Sequence, residues 1–191
     1  MNWEDEGILV LKRKYSENAN IVSLLTQNHG KISGIVYGGN SRKIKNYLQI
    51  GNKIFVIYTT KNENRIGYFK TELIQPISAK YFNDKKRSSA LVSLTSLLNS
   101  LLPENQPNKN IYESFNKLIA NYDYDNWVIH YIYWELNLIK ELGFGINFDN
   151  YKTEKKNNKN QFLKINIDNF YYEIPIFIIY GQIPNDITND L

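Results

Sequence analysis

At Pro76 the apolar period of this 191-residue chain changes from about two to about 3.6, and that switch restricts the fold more than any single motif does. Before it, short β-branched and aromatic runs alternate with turn residues. After it, leucine and aromatic stripes recur at helical spacing. The pattern predicts an α+β protein of two modules: a β-barrel over residues 1–78 and a helical domain over 79–191.

The first module reads as five strands. Gly7 to Lys14 (GILVLKRK) is an apolar strand ending in three consecutive cations, followed by the polar link Tyr15 to Ala19. The run Ile21 to Leu25 turns at Gln27-Asn28-His29-Gly30 and returns through Lys31 to Tyr37, the signature of a β-hairpin. Gly38-Gly39 then opens a polar loop carrying Arg42, Lys43 and Lys45. Lys53 to Thr60 and Ile66 to Ile74 supply two more strands, the last with Phe69, Thr71 and Leu73 on one face. Five short strands, with a gap between the third and fourth, match a five-stranded Greek-key barrel of the OB type. An SH3-like barrel has a similar strand count, and periodicity does not choose between them.

The second module opens with Ala90, Leu91, Leu94, Leu97, Leu98 and Leu101 in one helical stripe stopped by Pro103. Ile111, Phe115, Leu118 and Ile119 form another. A third helix, about 126–142, carries Trp127, Tyr131, Trp134, Leu138 and Leu142, and these aromatics read as core rather than as a stacking platform. Gly143 suits a left-handed C-cap, with Phe144 placed to fold back on Ile139. Tyr151 to Gln161 has the polar, cationic composition of a flexible loop. Beyond it, LKINI and YEIPIFII either pair as a ribbon or cover the helices, so this domain has a short, partly irregular C-terminal part.

The chemistry missing from the chain narrows its function. With no cysteine there is no disulfide, thiolate metal site or cysteine nucleophile. The two histidines, His29 in the hairpin turn and His130 in the third helix, fall in different modules, with no ligand-spaced carboxylate beside either. His29 reads as a turn residue able to tolerate unusual backbone angles, near enough to the cations to touch a phosphate. Phosphate-loop, dinucleotide and serine-elbow patterns are absent, and no carboxylates are spaced to share a metal ion. The acidic run Glu4-Asp5-Glu6 reads as solvated. No apolar run is long enough to span a membrane, and the first residues lack a signal-peptide core. The expectation is a cytoplasmic binding protein without cofactor, not an enzyme.

Charge suggests what is bound. Residues 1–80 hold 12 Lys+Arg against 6 Asp+Glu, a net of +6, and the remainder holds 11 against 13, a net of −2. That asymmetry predicts a polyanion-facing module joined to a protein-facing one. In an OB barrel the second and third strands, with the flanking first and fourth loops, track single strands. Here that face is the hairpin. Lys12, Arg13, Lys31, Arg42, Lys43 and Lys45 surround it, and Tyr37 and Tyr47 are placed to stack on bases. Each lysine alone is an ordinary surface charge, but a cluster neutralises phosphates and releases counterions. On the residues alone, a generic single-stranded DNA or RNA binder remains an alternative to any more specialised role.

Several short patterns occurring in order add a family. Asp5-Glu6-Gly7-Ile8-Leu9-Val10-Leu11, Glu17-Asn18-Ala19, Leu25-Thr26-x-x-His29-Gly30-Lys31, Gly38-Gly39-x-Ser41-Arg42 and Leu48-Gln49-x-Gly51 lie in the first module. Trp134-Glu135-Leu136 and Glu141-Leu142-Gly143-Phe144-Gly145 lie in the second. Over roughly residues 3–150 the chain resembles the RecO family of bacterial recombination mediators. The resemblance implies an OB-fold followed by a helical domain. It also implies binding and annealing of single- and double-stranded DNA, at the nucleoid. The implied partners are RecR, the acidic C-terminal tail of the single-strand-binding protein and, indirectly, RecA. It makes Lys31, Arg42 and Lys43 the leading DNA contacts, with Lys12 and Arg13 next. The cysteine zinc ribbon of some relatives has no ligands here, and residues 151–191 match the family poorly.

Overall fold

The computed structural model describes residues 2–61, 65–145, 153–154, 162–167, 169–175 and 178–179. Its longest strand, β1 (Asn2–Ser16), pairs on one side with β4 (Lys53–Thr59) and on the other with β2 (Ala19–Thr26). Its first half pairs with β4 and its second half with β2, and between Leu9 and Leu11 its register with β2 slips, where a bulge bends the strand. The strand starts five residues before the expected Gly7. The acidic run is not a solvated end but alternates, with Trp3 and Asp5 facing in and Glu4 and Glu6 facing out.

β2 turns into β3 (Gly30–Tyr37) in the expected hairpin, and β5 (Gly67–Gln75) pairs antiparallel with β4. A short parallel contact, Gly34 with Gly67 and Ile35 with Tyr68, closes the barrel in the order β1-β2-β3-β5-β4. Closure of five strands through one parallel pair is the OB-type Greek key, and it decides between the two barrels that periodicity left open. Inside lie Leu9, Val22, Leu24, Ile32, Val36, Leu48, Ile54, Val56 and Phe69. Trp3 and Tyr58, and separately Ile44 and Tyr47, pack against them.

The expected loop after Gly39 is a short helix, α1 (Arg42–Tyr47). Ser41 caps it by accepting from the Ile44 N–H, and Ile44 and Tyr47 turn one face onto the barrel core. Six residues present too few apolar positions for a helical period to show in the sequence.

The chain divides into two compact units, residues 1–112 and 113–191. The first takes in α2 (Ile77–Lys80) and α3 (Lys85–Leu101) as well as the barrel. Ser78 donates from its amide and its hydroxyl to Asn52 Oδ1, both at 2.9 Å, and Leu91 of α3 lies against Gly51. Local structure therefore changes at Pro76, whereas compactness changes at Tyr112, inside α4 (Lys109–Ala120).

In the second unit α5 (Trp127–Ile139) buries Trp127, Ile129, Trp134 and Leu138, and Trp134 meets Phe115 edge-on at 6.4 Å. These aromatics are core, as expected. A wide π-type turn, Lys140–Phe144, ends the helix with Gly143 at φ 88°. The ring of Phe144 is 77% exposed, so the expected packing on Ile139 does not form. The strands β6 (Thr153–Glu154), β7 (Phe162–Ile167) and β8 (Phe170–Pro175) form an antiparallel sheet, the ribbon alternative of the sequence reading.

Candidate nucleic-acid interface

Pleating sends Ile21, Ser23 and Leu25 of β2, with their partners Ile35, Ser33 and Lys31 of β3, to the outside of the barrel. Half of this face is covered. β5 meets β3 only at Gly34 and Ile35, which leaves the first half of β3 with an open edge. The segment after α3 fills it: the Asn105 N–H donates to the Lys31 carbonyl at 2.9 Å, and Glu104 pairs alongside Lys31 in parallel. The Lys31 ammonium donates to the Asn99 carbonyl at 2.6 Å and is withdrawn to 9% exposure. Ser33 donates to Glu104 Oε1 at 2.8 Å, and its hydroxyl also meets that of Ser23. Lys31, a leading phosphate contact by sequence, is thus a structural cation spent on a backbone carbonyl. Its partners lie some seventy positions away, where local pattern gives no sign of them.

The other half of the face is open. Arg13 of β1 pairs with Ile21, Ile21 with Ile35, and Ile35 with Tyr68, so four strands contribute one outward row. Arg13 is exposed, as are its neighbours Lys14 and Tyr15. Tyr37, two residues on from Ile35 on the same side, is 65% exposed, and its ring centre lies 6.4 Å from that of Tyr68. Just beyond Tyr37, the Ser41 N–H donates to the Gly38 carbonyl, so α1 starts directly off the end of β3.

Arg42, Lys43 and Lys45 are all exposed on α1. None forms an ion pair among the described residues. Lys12 is half-buried beneath them and donates to the Leu48 carbonyl at 2.9 Å. Burial, and then the nearby Lys45 charge, push its ammonium below the ordinary lysine range. Lys12 therefore ties β1 to the end of α1 and stands close to the Lys45 charge. Tyr47 is no stacking residue: it packs on the core and its hydroxyl donates to the Thr71 carbonyl at 2.7 Å.

His29 is also committed elsewhere. Asp5, its carboxylate 2% exposed, accepts from the backbone N–H of Glu6 and Asn28, from Asn28 Nδ2, and meets His29 Nδ1 at 2.9 Å. The His29 ring stacks on Trp3 at 3.9 Å. The unusual backbone angle in this turn belongs to Gly30, at φ 74°, not to His29. Of the expected flanking loops, the first reduces to a tight turn at Glu17-Asn18, and residues 62–64 of the other lie outside the described residues.

The open half thus combines exposed cations that form no ion pair among the described residues with two exposed rings, a surface that suits a polyanion carrying flat bases. Tyr68 was missed in sequence, although alternation along β5 opposite the buried Phe69 marks it as outward. Among the described residues, no three His, Asp or Glu side chains gather where they would hold a metal ion.

Comparison with known proteins bears on the same residues. Residues 1–77 match the family model "Recombination protein O N terminal", and residues 83–164 match "Recombination protein O C terminal". Similar proteins include the DNA repair protein RecO of Wolbachia sp. subsp. Drosophila simulans (strain wRi), 36% identical over 77% of this chain and 61% of the relative. That of Ehrlichia chaffeensis is 35% identical over 77% of this chain and 60% of its own length. That of Rhodospirillum centenum is 30% identical over 78% and 59%. The chain therefore spans about 60% of the length of the curated relatives it matches. With both halves of one family matched in order around an OB-type barrel and its helices, the chain belongs to the RecO family.

Proposed function

We propose that this chain is a recombination mediator in bacterial DNA repair, binding single- and double-stranded DNA through the open half of its barrel. The observation that supports this most is the set of exposed cations, Arg13, Arg42, Lys43 and Lys45, which form no ion pair among the described residues, at one end of a RecO-family barrel. Lys12 stands close to the Lys45 charge. Phosphate neutralisation of this kind brings two strands onto one surface and lowers their mutual repulsion, which is what annealing requires. No bond is made or broken, so the activity needs neither nucleotide nor metal. The second unit is the docking module for protein partners: RecR, and the acidic tail of the single-strand-binding protein. Through them the chain helps RecA onto coated strands in the cytoplasm.

The test is annealing of complementary labelled oligonucleotides by the whole protein, with chelator present and no nucleotide, alongside pulldown with RecR and the single-strand-binding protein of the same organism. Accelerated annealing with capture of both partners is expected. DNA binding without either partner would favour a generic OB-type binder. Failure to bind DNA at low salt would remove the reading.

A further inference from the structure

We propose that Tyr37 and Tyr68 form a base-stacking pair that makes the barrel prefer single strands to duplex. This rests on the nucleic-acid reading above and adds the residues that discriminate between the two DNA forms.

The two rings come from strands joined by only two residue pairs. The parallel pairing of Ile35 with Tyr68 brings Tyr68 alongside β3, and Tyr37 follows on the same outward side. Their centres are 6.4 Å apart and their planes differ by 59°, so they are not stacked on each other. Tyr37 is 65% exposed and Tyr68 is 37% exposed. Ile35, paired with Tyr68 in the same outward row, is 6% exposed and adds an apolar residue between the two strands. The glycines at the closure serve the inside: a Cβ on Gly34 would strike Phe69, and one on Gly67 would strike Tyr58. The interior of the closure is thus full, and the two tyrosines complete it outward.

The occupant follows from what surrounds the rings. Arg13 ends the same row, three strand spacings of about 4.8 Å from Tyr68. Arg42 and Lys43 follow Tyr37 by five and six residues at the start of α1. Cations on two sides and π faces between them match a sugar-phosphate chain with unpaired bases. A protein groove would have to meet this charge with acids and gains nothing specific from two tilted rings. In a duplex the base faces are already stacked and only phosphates, sugars and base edges reach the surface, so the cations serve both DNA forms whereas the tyrosines serve one.

The experiment uses the full chain with Tyr37→Ala, Tyr68→Ala, the double alanine variant and the double phenylalanine variant. Fluorescence anisotropy is measured with a labelled single-stranded oligonucleotide and with its duplex, each across a salt series. Stacking on one ring is commonly worth roughly five- to hundredfold in affinity. Each alanine variant is therefore expected to weaken single-strand binding by about that factor while duplex affinity stays within about twofold. The phenylalanine variant restores single-strand binding, because it keeps the π face. The slope of log affinity against log salt does not move, since the cations still neutralise the same phosphates. Equal losses on both DNA forms, or no loss on either, would overturn the assignment. If the parent chain binds neither DNA at low salt, the failure lies in the underlying reading and carries this one with it. Thermal melts of each variant show whether the barrel remains folded.

Discussion

Two lysines that look alike in sequence, Lys31 and Lys43, have opposite fates. Lys43 stands in solvent on α1, whereas Lys31 is enclosed with its ammonium on the Asn99 carbonyl. Replacing Lys31 with Met leaves that carbonyl without its donor, and should cost about 1–3 kcal/mol in urea unfolding. DNA affinity of the folded variant should change less than about twofold. Asp5 makes a similar point for acids. It reads as part of a solvated terminal run, yet it holds the hairpin turn by accepting from Glu6, Asn28 and His29. Asp5→Ala should destabilise the protein by about 2 kcal/mol, because the donors of Glu6, Asn28 and His29 lose one shared, buried acceptor together. Alternation in sequence says which side of a strand a residue occupies, but not whether another segment will cover that side.

Among the elements, the segment that follows α3 has the largest effect on the site. It occupies the unpaired edge of β3 and closes half of the face that an isolated OB barrel would present. Its seat depends on Gly30, whose φ of 74° suits glycine and whose missing Cβ leaves room for the Gln106 backbone. Gly30→Ala should therefore cost more than about 1 kcal/mol and open residues 102–107 to limited proteolysis. In α5, burial pushes the His130 imidazole below its ordinary value of 6.5. The unfolded chain then takes up that proton more readily than the folded one, so stability is whole above pH 6.5 and declines as pH falls below it. Melting curves between pH 7.5 and about 5 should show this decline, and a smaller one for His130→Asn. Neither feature leaves a mark in local sequence: one depends on a segment that returns from α3, the other on how deeply a helix face is packed.

For the molecule as a whole, charge asymmetry becomes a measurable quantity. Reversing Arg42, Lys43 and Lys45 to Glu should weaken binding to both single strands and duplex. It should also flatten the single-strand salt dependence by about 0.7 log units per log salt for each phosphate no longer neutralised. Titrations at several salt concentrations check it, and an unchanged slope would take α1 out of the interface. Together with the tyrosine variants, this separates the two kinds of interaction, since one alters the slope and the other alters the preference between DNA forms.

Patterns repeating every two or three to four residues were enough to predict the barrel, the helices and the place where one regime gives way to the other. They report local conformation, and local conformation is written in neighbouring side chains. The OB-type barrel was legible in the order of the strands and in the family resemblance, but periodicity alone did not choose it over an SH3-like barrel, because the choice depends on a parallel contact of two residue pairs 33 positions apart. The selection of site residues was not legible. Which cations stay in water, and that Tyr68 comes to lie beside Tyr37, was decided by chain segments brought together from far apart, through burial and hydrogen bonding that no local period encodes.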